Sequence, residues 1–377
     1  MRAIFAEIFY PSNLKKISKE MKLIIERHLE SLKESVRSIQ KNPEQFVEIE
    51  LRQPIDRMTT DLVNFVLFGE GVTKIKGLPL TKRIEITIGM WIATSYKKTN
   101  TITLGLYRRL GFDSGFNEVK KNLKLIHDDL RKIITHRENS PDYVRGVNLI
   151  DLTLKKNDEL RRQGKHGQVL TVEQMIDNIF LMIFGGIDTS RKTAESSLYY
   201  LSERQDLQSR FRNEIQENIV KKGISYEYEA YDNYALDLYL KETLRLNGPV
   251  FFGFLKLVTK TFKLGRYKIY KGTKMTTLYN VLHRKTDYFK KPSEFDMGRF
   301  EDGKQRKKFE KHGYQPFGLG KRSCVGRNLA EISIKMALCS FLNEFEMKAP
   351  AKTPRKVMRV TYMLENCKIG LRVLSKD

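Results

Sequence analysis

The stretch Pro316-Phe317-Gly318-Leu319-Gly320-Lys321-Arg322-Ser323-Cys324-Val325-Gly326 decides how this chain reads. Its informative positions are Phe317, Gly320, Arg322, Cys324 and Gly326: one cysteine held among glycines and cations, with a helical pattern following it. The chain has two other cysteines, Cys339 and Cys367. An odd number of cysteines cannot all pair, and no C-x-x-C spacing occurs, which argues against a zinc or iron–sulfur site. Free thiols in a reducing compartment are the plain reading, with Cys324 either a ligand or a structural residue in a glycine turn.

Outward from that stretch, helical periodicity dominates the first two thirds. Leu14, Ile17, Met21, Ile25, Leu29, Leu32, Val36 and Ile39 recur at steps of three or four, predicting a long amphipathic helix after Pro11 and Ser12. Further helices are expected near 54–68, 81–97 and 116–137, with Asn139 to Gly146 and Gly164 to Gly167 as loops. Thr171 and Gln174 form a capping-box pattern that opens a helix from about Val172 to Leu201. Helices at 205–221 and 233–247 follow. After Pro249 the pattern shifts to short alternating segments at Leu255 to Thr259, Arg266 to Ile269 and Lys274 to Thr277, punctuated by Gly265 and Gly272. Val357 to Leu364 and Lys368 to Leu374 read as a terminal hairpin around Glu365 and Asn366. The expected fold class is mostly α with small β-sheets, α+β, in one domain over 1–377 that contains a ligand-binding loop at 313–328.

At 377 residues with 40% hydrophobic content, the chain holds enough apolar material for a sizeable core. Sixty-nine Lys and Arg stand against 45 Asp and Glu, a net charge of +24. The cations are dispersed along every helix, which favours a lysine-rich solvated surface over a nucleic-acid tract. Met1 to Lys16 carries Glu7 and lacks the form of a secretory signal. The longest apolar run, Ile179 to Ile187, falls short of the roughly 20 residues of a membrane span. The six histidines show no metal-ligand spacing.

The cysteine stretch matches the haem-binding signature of the cytochrome P450 family, which the chain resembles from Arg2 to its last strands. Chance alone would produce those five positions at a frequency on the order of 10⁻⁵ to 10⁻⁴. The resemblance implies haem b, with Cys324 as the axial thiolate that favours O–O cleavage. Gly320 and Gly326 would allow a tight turn beneath the porphyrin, Phe317 would shield the sulfur, and Arg322 would pair with a propionate. Gly185-Gly186-Ile187-Asp188-Thr189 is similar to the family's oxygen-side helix. Gly185 and Gly186 would leave room for dioxygen, and Asp188 and Thr189 would deliver protons. Glu242, Arg245 and Arg299 would form a buried structural charge triad. Met297 and Gly298 depart from the residues commonest before that last arginine. Arg2 takes a propionate-binding position, and Lys256 stands where many members carry arginine. His283 lies in a segment resembling one near the haem edge, and a satisfied core histidine fits it equally.

The implied activity is a haem-thiolate monooxygenase that inserts one atom of O2 into a lipophilic small molecule. Its electrons would come from NADPH through a separate flavoprotein reductase. That reductase would dock on Lys304, Arg306, Lys307, Lys308, Lys311 and Lys321. No nucleic-acid partner is expected. A full-length form would contact the cytoplasmic face of the endoplasmic reticulum membrane, although no anchor is visible in this sequence. The resemblance covers roughly the family's last three quarters, which implies an incomplete gene model, a degenerate gene or a divergent minimal protein. The alternative activities are a catalytically impaired haem-binding fragment and a haem-thiolate isomerase. The presence of both Asp188 and Thr189 argues against the isomerase. Phe65, Phe68 and Trp91 are aromatics of the variable region that would line a substrate pocket or join the core.

Overall fold

The computed structural model describes residues 5–69, 74–75, 78–95, 113–140, 146–222, 234–301, 303, 309, 313–358 and 361–375. In chain order come α1 (Pro11–Ile39), β1 (Val47–Glu50), α2 (Arg52–Phe68), a two-stranded ladder of β2 (Lys74–Ile75) and β3 (Leu78–Pro79), α3 (Leu80–Ser95), α4 (Ser114–Glu138), α5 (Leu149–Arg162) and α6 (Val172–Ser202). The second half holds α7 (Gln205–Lys222), α8 (Tyr234–Asn247), strands β4 (Lys256–Leu257), β5 (Phe262–Leu264), β6 (Tyr267–Ile269) and β7 (Lys274–Met275), then α9 (Tyr279–Leu282), α10 (Arg327–Glu344), β8 (Phe345–Lys348), β9 (Arg355–Met358), β10 (Tyr362–Glu365) and β11 (Lys368–Val373). The fold is mostly α with small sheets, as the periodicity predicts. Two compact units share it. One comprises Met1–Ser31, Gln53–Ser190 and Asn328–Ala330; the other comprises Leu32–Arg52, Arg191–Arg327 and Glu331–Asp377.

The first unit is almost entirely helical. Leu14, Ile17, Met21, Ile25 and Leu29 of α1 are buried, one face of the predicted stripe. Helix α6 opens with the predicted capping box: the Gln174 amide donates to Thr171 Oγ1 at 3.2 Å, and the Thr171 amide donates to Gln174 Oε1 at 3.1 Å. Helix α5 has no counterpart among the predicted elements. Its apolar residues Leu149, Ile150, Leu154 and Leu160 nevertheless recur on one buried face, which polar Asp151, Thr153 and Asn157 share. Capping and one buried carboxylate hold it as well. Asn148 caps the helix through the Asp151 amide, while Asp151 accepts from Arg137 Nε at 2.6 Å and Nη2 at 2.9 Å. Gly146 makes room for that carboxylate, since a Cβ there would stand 1.5 Å from Asp151 Oδ2.

By length and composition α6 is apolar enough to cross a membrane, the one such helix among the described residues. It nevertheless carries Arg191, Lys192 and Glu195 buried, with Arg191 Nη1 2.7 Å from Glu195 Oε1. Those charges lie beyond its most apolar stretch, of which 33% is buried.

In the second unit β1, β11 and β8 form an antiparallel sheet with β11 in the middle. Val47 and Met347 both face Leu371 in register. This arrangement overturns the terminal hairpin expected from sequence. Strand β10 pairs with β9, and β11 leaves for the other sheet. Asn366 is the single residue that redirects the chain, at φ +52, and the Leu51 amide then donates to the Cys367 carbonyl. The alternation of Ile369 and Leu371, both fully buried, sets the register by burying one face of β11 with Phe345 and Met347.

Glu242 and Arg245 on α8, fully buried, anchor the same unit. The Glu242 carboxylate accepts from Arg245 Nε at 2.7 Å, Arg245 Nη2 at 2.8 Å, Arg299 Nε at 3.0 Å and the Asp296 amide at 2.8 Å. Arg245 spends its other donors on the carbonyls of His283, Pro292 and Glu294. Asp296 caps the short 3₁₀ turn Met297–Phe300 by accepting from the Gly298 amide. The unusual Met297-Gly298 pair thus still delivers Arg299 to Glu242. Glu242→Ala leaves two guanidinium groups without their carboxylate in a dry interior. The expected loss is about 3–5 kcal/mol, read from the denaturant midpoint of the purified chain.

Candidate functional site

The cysteine loop belongs to the second unit and is shaped by two glycines with left-handed backbone, Gly318 at φ +69 and Gly320 at φ +71. Gly320–Arg322 make one 3₁₀ turn, in which the Ser323 amide donates to the Gly320 carbonyl at 3.0 Å. The Cys324 amide then donates to the Phe317 carbonyl at 2.8 Å and closes the loop. Helix α10 starts at Arg327 with Gly326 as its N-cap at φ −87. Cys324 therefore sits just ahead of the positive end of that helix rather than within it. Gly326 has an ordinary backbone, so Gly318 is the second tight-turn glycine. The sequence pattern singled out Gly326 instead.

The loop presents a bare face. Leu319, Gly320, Lys321, Arg322 and Cys324 are exposed, and a Cβ added at Gly320 or Gly326 would meet no heavy atom of the described residues within 4 Å. Phe317 is half-buried, and the Arg327 guanidinium lies 5.4 Å from its ring centroid. None of the three cysteines is in a disulfide. Burial pushes the Cys339 and Cys367 thiols up to about 12, which makes them inert at neutral pH. Cys324 is the exposed one, unusual for a residue type that is normally buried.

Packing from the charge triad holds the loop from below. Arg245 donates to the His283 carbonyl, and the His283 ring in turn accepts the Gln315 amide at Nε2, at 2.9 Å. That bond requires a bare Nε2 and hence a neutral imidazole. Burial first, then the Arg245 and Arg284 charges, push His283 down to about 3. Its ring lies between Tyr279 and Tyr314, with centroids 6.3 and 5.5 Å away. The Tyr314 hydroxyl donates to the Lys241 carbonyl, one residue before Glu242, and the Tyr279 hydroxyl lies 3.4 Å from where a Gly318 Cβ would be. Helix α8, His283, Gln315 and Cys324 thus form one continuous support. The sequence marked His283 without deciding its role, and it gave no signal for Tyr279 or Gly318.

The glycine pair lies in the first unit, on α6. Thr189 Oγ1 donates to the Gly185 carbonyl at 2.6 Å, so Thr189 and Gly185 are joined within one turn. Among the described residues a Cβ on Gly185 would meet nothing within 4 Å, whereas one on Gly186 would touch Val63 at 3.4 Å. Gly186 therefore serves packing, and Gly185 borders open space. Asp188 and Thr189 are both partly accessible. Arg2, Lys304, Arg306, Lys307, Lys308 and Lys311 lie outside the described residues, as does the side chain of Trp91; Lys321 and Lys256 are exposed. Phe65 and Phe68 are half-buried. A soft thiol donor, a side-chain-poor face around it and a cation beside it fit a flat anionic macrocycle bound through its metal.

The cytochrome P450 family model matches residues 1–369. The chain belongs to the cytochrome P450 family. Cytochrome P450 3A18 of Rattus norvegicus is 27% identical over 279 residues, covering 72% of this chain and 54% of that protein. Probable cytochrome P450 6a14 of Drosophila melanogaster is 26% identical over 322 residues, covering 81% and 61%. The chain spans about half the length of the curated P450 relatives it matches. Among solved structures, the heme domain of cytochrome P450DA superposes with a TM-score of 0.80 at 18% identity, covering 99% of this chain and 75% of that one.

Two outcomes are expected from this geometry. A maleimide should modify Cys324 ahead of Cys339 and Cys367 by roughly 10²–10³-fold, and added haem should slow modification at Cys324; peptide mapping checks both. The unfolded chain protonates His283 near 6.5, whereas the folded one keeps it neutral to about 3. The stability it contributes is therefore intact above pH 6.5 and falls below it, by up to about 1.4 kcal/mol per pH unit. His283→Gln retains an acceptor for the Gln315 amide and should flatten the denaturation midpoint between pH 6.5 and about 5.

Proposed function

We propose that this chain is the haem-thiolate part of a monooxygenase that inserts one atom of dioxygen into a lipophilic organic substrate. It acts as one domain over 1–377 with 313–328 as the haem-binding loop, and a separate flavoprotein reductase passes it electrons from NADPH. The observation that carries this reading is the exposed Cys324, held on a glycine-shaped loop just before α10 in a chain of the cytochrome P450 family. When bound, haem supplies the redox chemistry, and a thiolate ligand biases it toward O–O cleavage.

The chain's own residues have the remaining work. Cys324 holds the iron as a thiolate, favoured by its place ahead of the α10 N-terminus. Arg322 and Arg2 neutralise the propionates, and Phe317 keeps water from the sulfur. Gly185 supplies the space on its helix that a reactant needs, because no side chain among the described residues would meet a Cβ there. Thr189 and Asp188 hold and relay the protons that dioxygen reduction consumes. The Thr189 hydroxyl donates to the Gly185 carbonyl, which fixes the orientation of the hydroxyl on its helix. Glu242, Arg245 and Arg299 act structurally, through His283 and Gln315, on the position of the loop. Contact with the cytoplasmic face of the endoplasmic reticulum membrane belongs to the same proposal, since lipophilic substrates partition there.

The test is a carbon monoxide difference spectrum of the reduced, haem-supplemented chain beside Cys324→Ser. A red-shifted Soret band present in the parent and absent from the variant is the expected result. Haem uptake with the same spectrum in both would sink the assignment of Cys324.

A further inference from the structure

Strand β9 pairs with β10 so that Lys356 stands opposite Leu364 and Met358 opposite Tyr362. Opposed residues share a face, and so do alternate residues along a strand, which puts Lys356 and Tyr362 on the same side of this hairpin. Tyr200, near the end of α6, meets it there. Lys356 Nζ donates to the Tyr200 hydroxyl at 3.2 Å and lies 5.8 Å from its ring centroid. Arg284, just after α9, is held by the carbonyls of Asn280 and Leu246, to which it donates at 3.2 and 2.5 Å. Its charge reaches the other three groups. Burial first, then Arg284, lowers the Lys356 ammonium; burial raises the Tyr200 and Tyr362 hydroxyls, and Arg284 opposes that rise in both. Phe295 and Phe251 flank the cluster, with ring centroids 4.9 Å from that of Tyr200 and 6.5 Å from that of Tyr362. All four polar residues belong to the second unit.

This cluster holds donors without acceptors. Arg284 and Lys356 are like charges, both lowered by burial, and neither forms an ion pair with a carboxylate among the described residues. Glu203 is the carboxylate whose charge reaches Lys356, yet it accepts the Tyr199 hydroxyl at 2.5 Å instead. Tyr200 is only 8% exposed and its oxygen accepts from Lys356, while its own proton has no acceptor among the described residues. The hydroxyl of half-buried Tyr362 has no hydrogen bond among them either. Gathering cations and unmatched O–H groups is unfavourable until a negative group with several acceptor oxygens comes between them. Lys356 is exposed at the edge of the cluster, which leaves a way in from solvent.

We propose that Arg284, Lys356, Tyr200 and Tyr362 bind a doubly charged oxyanion of the phosphate class, as inorganic phosphate or as a phosphate monoester. Arg284 brings a planar fork, Lys356 a point charge, and the two phenols their O–H donors. Two cations neutralise a dianion. Donors arriving from a helix, a loop and both strands of a hairpin suit a tetrahedral group better than a flat carboxylate. Once bound, the anion ties the β9–β10 hairpin to α6 and to the segment after α9. The inference goes beyond the haem chemistry and does not depend on it, so the Cys324 spectrum and the following test fail independently.

The full chain is acetylated with N-hydroxysuccinimidyl acetate in potassium chloride, and in millimolar inorganic phosphate, glycerol 3-phosphate or potassium acetate at equal ionic strength. Peptide mapping follows each lysine. Modification of Lys356 should slow at least about fivefold under one or both phosphates, along a saturating curve, while exposed Lys263 and Lys268 keep their rates. Which phosphate protects tells which source the site takes. The thermal midpoint should rise under the same phosphate in the parent, and far less in Lys356→Met and Tyr200→Phe. Should a variant lose its fold, the acetylation of the parent decides alone. One rate for Lys356 in chloride and in both phosphates would overturn the proposal. So would an equal midpoint rise in the parent and both variants, the mark of phosphate excluded from the surface or of an adventitious ion only. Protection by acetate as strong as by phosphate would overturn the dianion and leave a carboxylate site.

Discussion

Glu242 takes four hydrogen bonds in the interior of the second unit, and the arrangement around it explains more of that unit than any apolar contact does. Two guanidinium groups and one carboxylate leave an excess positive charge in a dry place, which is tolerable only where carbonyl oxygens turn toward it. Arg245 and Arg299 collect those carbonyls from residues 283, 290, 292 and 294. The segment between α9 and the 3₁₀ turn has almost no regular structure, so this charge network is what fixes its course. Because Arg245 reaches the backbone of His283 and the His283 ring reaches Gln315, the same network positions the loop that carries Cys324. Stability and chemistry share one scaffold there.

The neutral state of His283 follows from this arrangement. Near two arginines and buried, the imidazole has every electrostatic reason to stay unprotonated, and its acceptor bond uses that state. A lysine or arginine at that place would have no lone pair to offer the Gln315 amide, and a leucine would leave that amide unsatisfied.

Most of the helical frame was legible in the sequence because long amphipathic stripes and a capping box carry strong local signals. The stripe of α1 and the Thr171–Gln174 box are visible without any tertiary knowledge. Helix α5 was passed over because polar Asp151, Thr153 and Asn157 share its buried face with the leucines, and their partners, such as Arg137 on Asp151, lie outside the segment. The terminal strands were misread because alternation tells which face is buried but not which strand lies alongside. At the site, the cysteine signature named the loop and the family resemblance named the triad. The left-handed backbone of Gly318 and the stack of Tyr279, His283 and Tyr314 depend on distant partners, and no spacing rule exposes them. Gly185 and Gly186 looked equivalent in the sequence, yet among the described residues Val63 packs at the Cβ position of Gly186 and nothing does at that of Gly185.

The sheet of the second unit has a further consequence for how the chain is made. Its middle strand, β11, is synthesised after both of its partners, and β1 precedes it by most of the chain. During translation β1 therefore waits with its ladder groups unpaired while α2 through α10 emerge, and β8 joins it in that state. Such pairing across a long intervening chain is slow, because loop closure must precede any reward from the contacts. The frame can assemble its helices early, but the strand that joins the two outer ones arrives last, so the second unit is open to chaperones and to misassembly for nearly the whole of its synthesis.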